Sequence, residues 1–314
     1  MASSSRTSSK NVGERLGRFA MGTGRSVRTG PFVVPEIDEI PGGRLLELPG
    51  RGRTYVVDMP GPPDAPTLIL LHGTACTAML NWFPALETLS RRYRIVLFDQ
   101  RWHGRGIRSQ RFRLDDCADD VVAVADALGV ERFVCVGYSL GGVVSLLTAH
   151  RHPERVAGLV LCATPYRFQD KWRERAFHRG FAAMAGALGD YPYRRAERLA
   201  DALPELPVAL VPGQLRRWAM GEFRSTSGWA LTPILAEIGR FDATEWLSSL
   251  TMPTAVVITT KDKAIPVYRQ IELAAAIPGT SIHPVPAGHT ACAFAADRFV
   301  PVLDEACAAV AARL

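Results

Sequence analysis

The pentapeptide Gly137-Tyr138-Ser139-Leu140-Gly141 is the segment whose residue types and spacing point most directly to covalent chemistry. An apolar, strand-like run, Phe133 to Val136, leads into it, and a helix-favouring run, Val143 to Ala149, leads out. A serine on so sharp a strand-to-helix turn has a strained backbone that projects its oxygen above a sheet, and glycines on either side let chains pass closely. A serine hydroxyl is a weak nucleophile, so it needs a base within hydrogen-bond reach and a third group that orients the base. Histidine suits that task, because an unperturbed pKa of about 6.5 lets it take and return a proton near neutrality. His289, in Ala287-Gly288-His289, follows the strand-like run Ser281 to Val285. Its rivals fit less well: His150, His152 and His178 lie in or near helical segments, and His283 alternates within a strand. Neither an H-E-x-x-H metal pair nor a G-x-x-x-x-G-K-[ST] phosphate loop occurs, and Gly22-Thr23-Gly24 follows no strand, so no metal or cofactor is expected.

The elements that must hold these residues follow a regular rhythm. Arg53 to Val57, Thr67 to Leu71, Arg94 to Phe98, Phe133 to Val136, Leu159 to Cys162, Thr254 to Thr259 and Ser281 to Val285 are apolar or β-branched runs of strand length. Continuous apolar strands mark a sheet covered on both faces. Between them lie helical patterns at Trp82 to Arg92, Asp115 to Leu128 and Leu140 to His150, with an Ala-rich one from Ala291 to Leu314. The expected fold is α/β, a mostly parallel twisted sheet with helices on both faces. After Pro165 the rhythm lapses into Arg- and Ala-rich, helix-favouring sequence with no clear strand before Thr254. The expected organisation is therefore a flexible tail over residues 1–30, a first core part over 31–165, an inserted helical cap over 166–245 and a second core part over 246–314. Within the tail, Val12, Leu16 and Phe19 have the spacing of a short docked helix.

Composition narrows the function classes. With 314 residues and 47% apolar content the chain can bury a large core, and its longest apolar stretches fall far short of the roughly 20 residues of a membrane-spanning helix. The net charge of +6 comes almost wholly from arginine, the lysines being Lys10, Lys171, Lys261 and Lys263. No nucleic-acid module accompanies that surplus, so it reads as solvated surface. The six cysteines form no C-x-x-C pair or dense framework, which suggests free thiols in a reducing, cytoplasmic setting. The Ser- and Arg-rich start also fits an organellar transit peptide, whereas a secretory signal would need an apolar run of roughly 7–15 residues. No residue pattern sets an oligomeric state.

These motifs together resemble the α/β-hydrolase family over about residues 43–165 and 240–314. The resemblance implies a nucleophile, acid and base in the chain order Ser139, Asp262, His289. Asp262 lies just past the Thr254 strand with Pro266 four residues on, as in the family; Thr259 stands where a glycine is usual three residues before the acid. Asp170, Asp99 and Asp242 are the rival acids. His72-Gly73-Thr74-Ala75 matches the segment that shapes the family's oxyanion hole, which implies the backbone amides of Thr74 and Leu140 as donors, with the Thr74 side chain as a third. His72 reads as structural. Asp99-Gln100-Arg101-Trp102-His103-Gly104 matches a further segment, with Trp102 in place of a glycine, reshaping either the pocket floor or the turn itself.

The function expected is a serine hydrolase that cleaves a carboxylic ester, or a related acyl bond, of a small molecule through an acyl-enzyme. Amidases, thioesterases, lactonases, carbon–carbon hydrolases, cofactor-free haloperoxidases and acyltransferases share these parts, and a non-catalytic binding module is the alternative from another class. Family members that open epoxides or remove halogens use a carboxylate nucleophile, which Ser139 argues against. Phe168, Trp172, Phe177, Phe181, Met184 and Trp218 are the apolar bulk of the insertion, available either for an acyl pocket, with Trp102, or for the cap's own small core. Cys76 and Cys292 fall in the oxyanion segment and just after His289, two segments that the resemblance brings together.

Overall fold

A computed structural model describes residues 26–29, 32–35, 39–169, 172–194, 208–209, 214–226 and 228–314. Its strands are β1 (Ser26–Thr29), β2 (Phe32–Pro35), β3 (Glu39–Ile40), β4 (Arg44–Leu48), β5 (Gly52–Met59), β6 (Thr67–Leu71), β7 (Arg94–Phe98), β8 (Phe133–Tyr138), β9 (Val156–Cys162), β10 (Val208–Ala209), β11 (Thr254–Thr259) and β12 (Ser281–Val285). The helices are α1 (Ala78–Ser90), α2 (Leu114–Ala127), α3 (Leu140–Arg151), α4 (Trp172–Leu188), α5 (Gln214–Arg224), α6 (Leu231–Ile238), α7 (Val267–Ala276), α8 (Ala291–Phe294) and α9 (Ala296–Ala311).

Eight strands form one sheet in the order β12-β11-β9-β8-β6-β7-β5-β4. From β12 to β7 every pairing is parallel, and β5 and β4 add an antiparallel edge. Successive side chains of a strand point to opposite faces, so each apolar strand feeds two cores. Leu68 and Leu70 of β6 join one cluster with Trp82 of α1 and Phe299 of α9. Ile69 and Leu71 join the other with Val121 of α2, Val143 of α3 and Leu273 of α7. The outermost strand β12 is tied to β11 at its end, where the Thr260 N–H donates to the Val285 carbonyl at 2.9 Å, with Pro284 opposite Ile258 in the register.

Several elements differ from the sequence reading. Strand β4 was unanticipated because it alternates, burying only Leu46 and Leu48. Helix α1 starts before Trp82 because the Thr77 hydroxyl caps it, accepting from the Leu80 N–H at 3.1 Å. The Ala-rich terminus divides at Ala295, whose backbone leaves the helical region (φ −143°, ψ 40°), into α8 and α9. Between β9 and β11 the chain carries α4, α5 and α6, and also β10, which pairs antiparallel with β3. Within that stretch, an isolated bridge joins Arg167 and Asp242. Strands β1 and β2 pair antiparallel, Ser26–Thr29 with Phe32–Pro35. The Val12, Leu16 and Phe19 segment lies outside the described residues. Among the described residues, no helix is long and apolar enough to cross a membrane.

Candidate active site

Ser139 sits between β8 and α3 with φ 52° and ψ −110°, a backbone that a non-glycine residue adopts only under strain. Close packing around it enforces that turn. A Cβ on Gly141 would run into the Leu71 carbonyl, and one on Gly137 into the Gly141 carbonyl. The Ser139 N–H donates to the Cys162 carbonyl at 2.9 Å, which fixes the elbow to β9.

The loops after β11 and β12 meet at this elbow. Nε2 of His289 lies 3.1 Å from the Ser139 Oγ, and Nδ1 lies 2.8 Å from Oδ2 of Asp262. The Lys261 N–H donates to the Ala287 carbonyl at 2.9 Å, binding the acid loop to the base loop. Asp262 is well supplied with donors: Ala264 N–H at 2.8 Å and Ile265 N–H at 2.9 Å to Oδ1, and the Thr259 hydroxyl at 2.7 Å to Oδ2. Burial pushes its carboxyl up, but His289, Ile265 and Thr259 outweigh burial and hold it below the ordinary carboxylate range. Thr259, the departure from the family pattern, is thus a partner of the acid, itself accepting from Gln270 Nε2 at 3.1 Å. Sequence reasoning missed that role; a hydroxyl three residues before the acid was its only signal.

The rival acids are engaged elsewhere. Asp99 accepts from the Ala78 and Arg105 N–H groups, both at 2.8 Å, and Asp242 from the Thr244 N–H at 2.9 Å. Asp170 lies outside the described residues.

The segment His72 to Ala75, read as the oxyanion loop, runs beside Ser139: a Cβ on Gly73 would lie 3.7 Å from that of Ser139. The Gly73 N–H is committed to Asn81 Oδ1 at 3.0 Å, which leaves the Thr74 N–H as the next donor along the loop. Leu140 is the first residue of α3, where an N–H has no acceptor within its own helix. His72 is structural. Its Nδ1 donates to the Gly73 carbonyl at 2.8 Å and its Nε2 accepts from the Gln100 N–H at 2.9 Å, which selects the neutral imidazole. Burial lowers its pKa to about 4.

Above these groups lies a cavity of about 790 Å³, lined by Ser139, His289, Thr74 and Leu140 and by apolar side chains, among them Phe168, Phe177, Met220 and Phe223. Of the seven residues offered by the sequence for an acyl pocket, Phe168 and Phe177 line it, and Trp102, Trp172 and Trp218 do not. Trp102 takes φ 66° and is buried in the turn, where its indole N–H donates to the Ser109 carbonyl at 2.9 Å. Trp218 packs edge-on against Phe83 with ring centroids 5.2 Å apart, and Trp172 is exposed. Cys76 and Cys292 both line the cavity as free thiols, and burial pushes Cys76 up to about 12.

Comparison with known proteins agrees with this architecture. A family model for the alpha/beta hydrolase fold matches residues 66–296, and the chain belongs to that family. A Rhizobium rhizogenes protein provisionally named carbamate hydrolase RutD is 29% identical over 225 residues, covering 68% of this chain and 80% of that protein. Epoxide hydrolase B of Mycobacterium tuberculosis is 32% identical over 127 residues, covering 39% of this chain and 35% of its own. The enol-lactonase of Burkholderia xenovorans superposes with a TM-score of 0.63 at 23% identity, covering 84% of this chain and all of that one. The protein is a hydrolase.

Proposed function

We propose that the protein cleaves a carboxylic ester of a small, largely apolar molecule through an acyl-enzyme on Ser139. The observation that carries the reading is the placement of His289 between Ser139, at 3.1 Å, and Asp262, at 2.8 Å. In this mechanism His289 takes the Ser139 proton as Oγ attacks the acyl carbon, and Asp262 holds the imidazolium. The Thr74 and Leu140 amides stabilise the oxyanion. His289 then returns the proton to the leaving oxygen, and water, deprotonated by His289, releases the acid and restores Ser139. The cap residues Phe168, Phe177, Met220 and Phe223 set the selectivity for the apolar part of the substrate.

Lactones and carbamates are the neighbouring substrate classes, suggested by the names of the enol-lactonase and RutD, and both place an acyl carbon before the same serine. The epoxide reading is disfavoured, since a serine stands in the elbow. A fluorophosphonate label, followed by peptide mapping, and a panel of esters, lactones and carbamates of graded acyl size test the proposal. Labelling of Ser139 with turnover of esters is the expected result. A Ser139→Ala variant that still hydrolyses at the wild-type rate would overturn it.

A further inference from the structure

Helix α5 touches both the cavity and the core. Its residues Ala219, Met220 and Phe223 line the cavity, while Trp218 packs on Phe83 of α1. On the same side as Trp218, one turn further on, Glu222 is 1% exposed. Its Oε2 accepts from the Thr77 hydroxyl at 2.7 Å, and its Oε1 from the Arg105 guanidinium at 3.3 Å. Burying a carboxylate is costly unless it is paired and hydrogen-bonded, so an apolar residue here would have docked α5 with less risk.

Thr77 joins the segment His72 to Cys76 to α1. Its oxygen accepts from the Leu80 N–H at 3.1 Å while its proton goes to Glu222, and beside it Asp99 accepts from the Ala78 N–H at 2.8 Å. The first turn of α1, which anchors one end of the oxyanion segment, is therefore held partly by a side chain from the insertion.

We infer that Glu222 is a positioning residue: through Thr77 it makes the seating of α5, which walls the cavity, a condition for the placement of the Thr74 N–H beside Ser139. The inference rests on the hydrolase reading. A helix that lines the cavity on one face and holds Thr77, at the end of the oxyanion segment, on the other lets a well-filled cavity favour the reactive loop geometry. A displacement of about 1 Å in such a segment can cost on the order of 100-fold in rate.

The test uses the full chain with Glu222→Ala, Glu222→Gln, Thr77→Val and Thr77→Ser. Two readouts are taken, amide hydrogen exchange without substrate and steady-state ester hydrolysis. Glu222→Ala should raise exchange across residues 73–80 and lower kcat at least about tenfold, with KM changed less than about threefold. Thr77→Val should reproduce this and also lose the cap on the Leu80 N–H, so the double variant should add little beyond Thr77→Val alone, the Thr77–Glu222 bond being shared. Thr77→Ser and Glu222→Gln, which keep the hydroxyl and an acceptor oxygen, should retain most of kcat. Should Glu222→Ala fail to fold, Glu222→Met, which keeps the bulk and removes both acceptor oxygens, takes its place with the same two readouts. Exchange that rises only within residues 214–224, with kcat preserved and KM raised, would make Glu222 a cap anchor and overturn the inference. Exchange needs no substrate, so it separates this outcome from failure of the hydrolase reading, in which the wild-type chain cleaves no ester and takes no label on Ser139.

Discussion

The Tyr138 hydroxyl donates to the backbone carbonyl of His289 at 2.7 Å, so the residue immediately before Ser139 holds the loop that carries His289. The Tyr138 ring is buried, with its edge on Trp82 and Phe299, and so cannot shift to follow a displaced loop. Tyr138→Phe removes only the hydroxyl. It should cost about 1 kcal/mol of stability by chemical denaturation and lower kcat several-fold, as the His289 carbonyl loses its partner. Unchanged kcat would show that the loop is held by other contacts.

Asp262→Asn should keep the fold, because an amide oxygen can still accept from Ala264 and Ile265. It offers the imidazole a donor where an acceptor is needed, which favours the wrong tautomer. Turnover should fall by up to about 10⁴. A fall of less than about tenfold, measured on the best ester of the panel, would reassign the acid.

Thr259→Gly restores the family's usual residue and takes a donor from Asp262, so the acid's pKa should return toward its ordinary range. Loss of one such bond predicts a several-fold drop in kcat, well short of that for Asp262→Asn. Thr259→Ser should keep most of the activity. Equal activity in the glycine variant would leave Thr259 a packing residue.

Acid should weaken the fold through His72. The imidazole is held at about 4, while in the unfolded chain it titrates near 6.5. The stabilisation is complete above that unfolded value and is lost as pH falls from about 6.5 toward 4, because only the unfolded chain binds the proton there. The loss is on the order of 3 kcal/mol. His103, whose ring lies 5.0 Å from that of His72, is held low by burial and contributes with the same sign. Urea midpoints at pH 7 and pH 4.5 should show the decline, and His72→Gln should flatten it while lowering stability at pH 7. A parallel decline in that variant would exonerate His72.

Strands β6, β7, β11 and β12 have the bounds read from sequence, and three of the four are legible for one reason. β6, β7 and β11 are buried on both faces, so they appear as unbroken apolar or β-branched runs. Strand β4 packs on one side only and hides in an alternating segment. The adjacency of Ser139, Asp262 and His289 was implied by the family resemblance, and it agrees with each residue following a recognisable strand, since parallel strands end at one edge. Trp102 was left between the pocket floor and the turn because bulk in a motif tells nothing of direction; its ring turns toward Phe112, with centroids 6.2 Å apart. Glu222 was invisible for another reason. Its partner Thr77 is 145 residues away, and only the docking of α5 on α1 brings them together.

Strand β12 ends one side of the sheet, and such an edge invites pairing by another chain. Val285 faces β11, accepting from the Thr260 N–H at 2.9 Å, so by the alternation of a parallel strand the backbone groups of Pro284 face outward. Proline has no N–H to give there, and the row of donors that a foreign strand would need is broken one residue before the strand ends. With Ile282 beside it half exposed, this would otherwise be a sticky margin. A single imino acid thus discourages edge-to-edge self-association and fibre growth, a colloidal safeguard that costs the fold none of the bonds between β12 and β11.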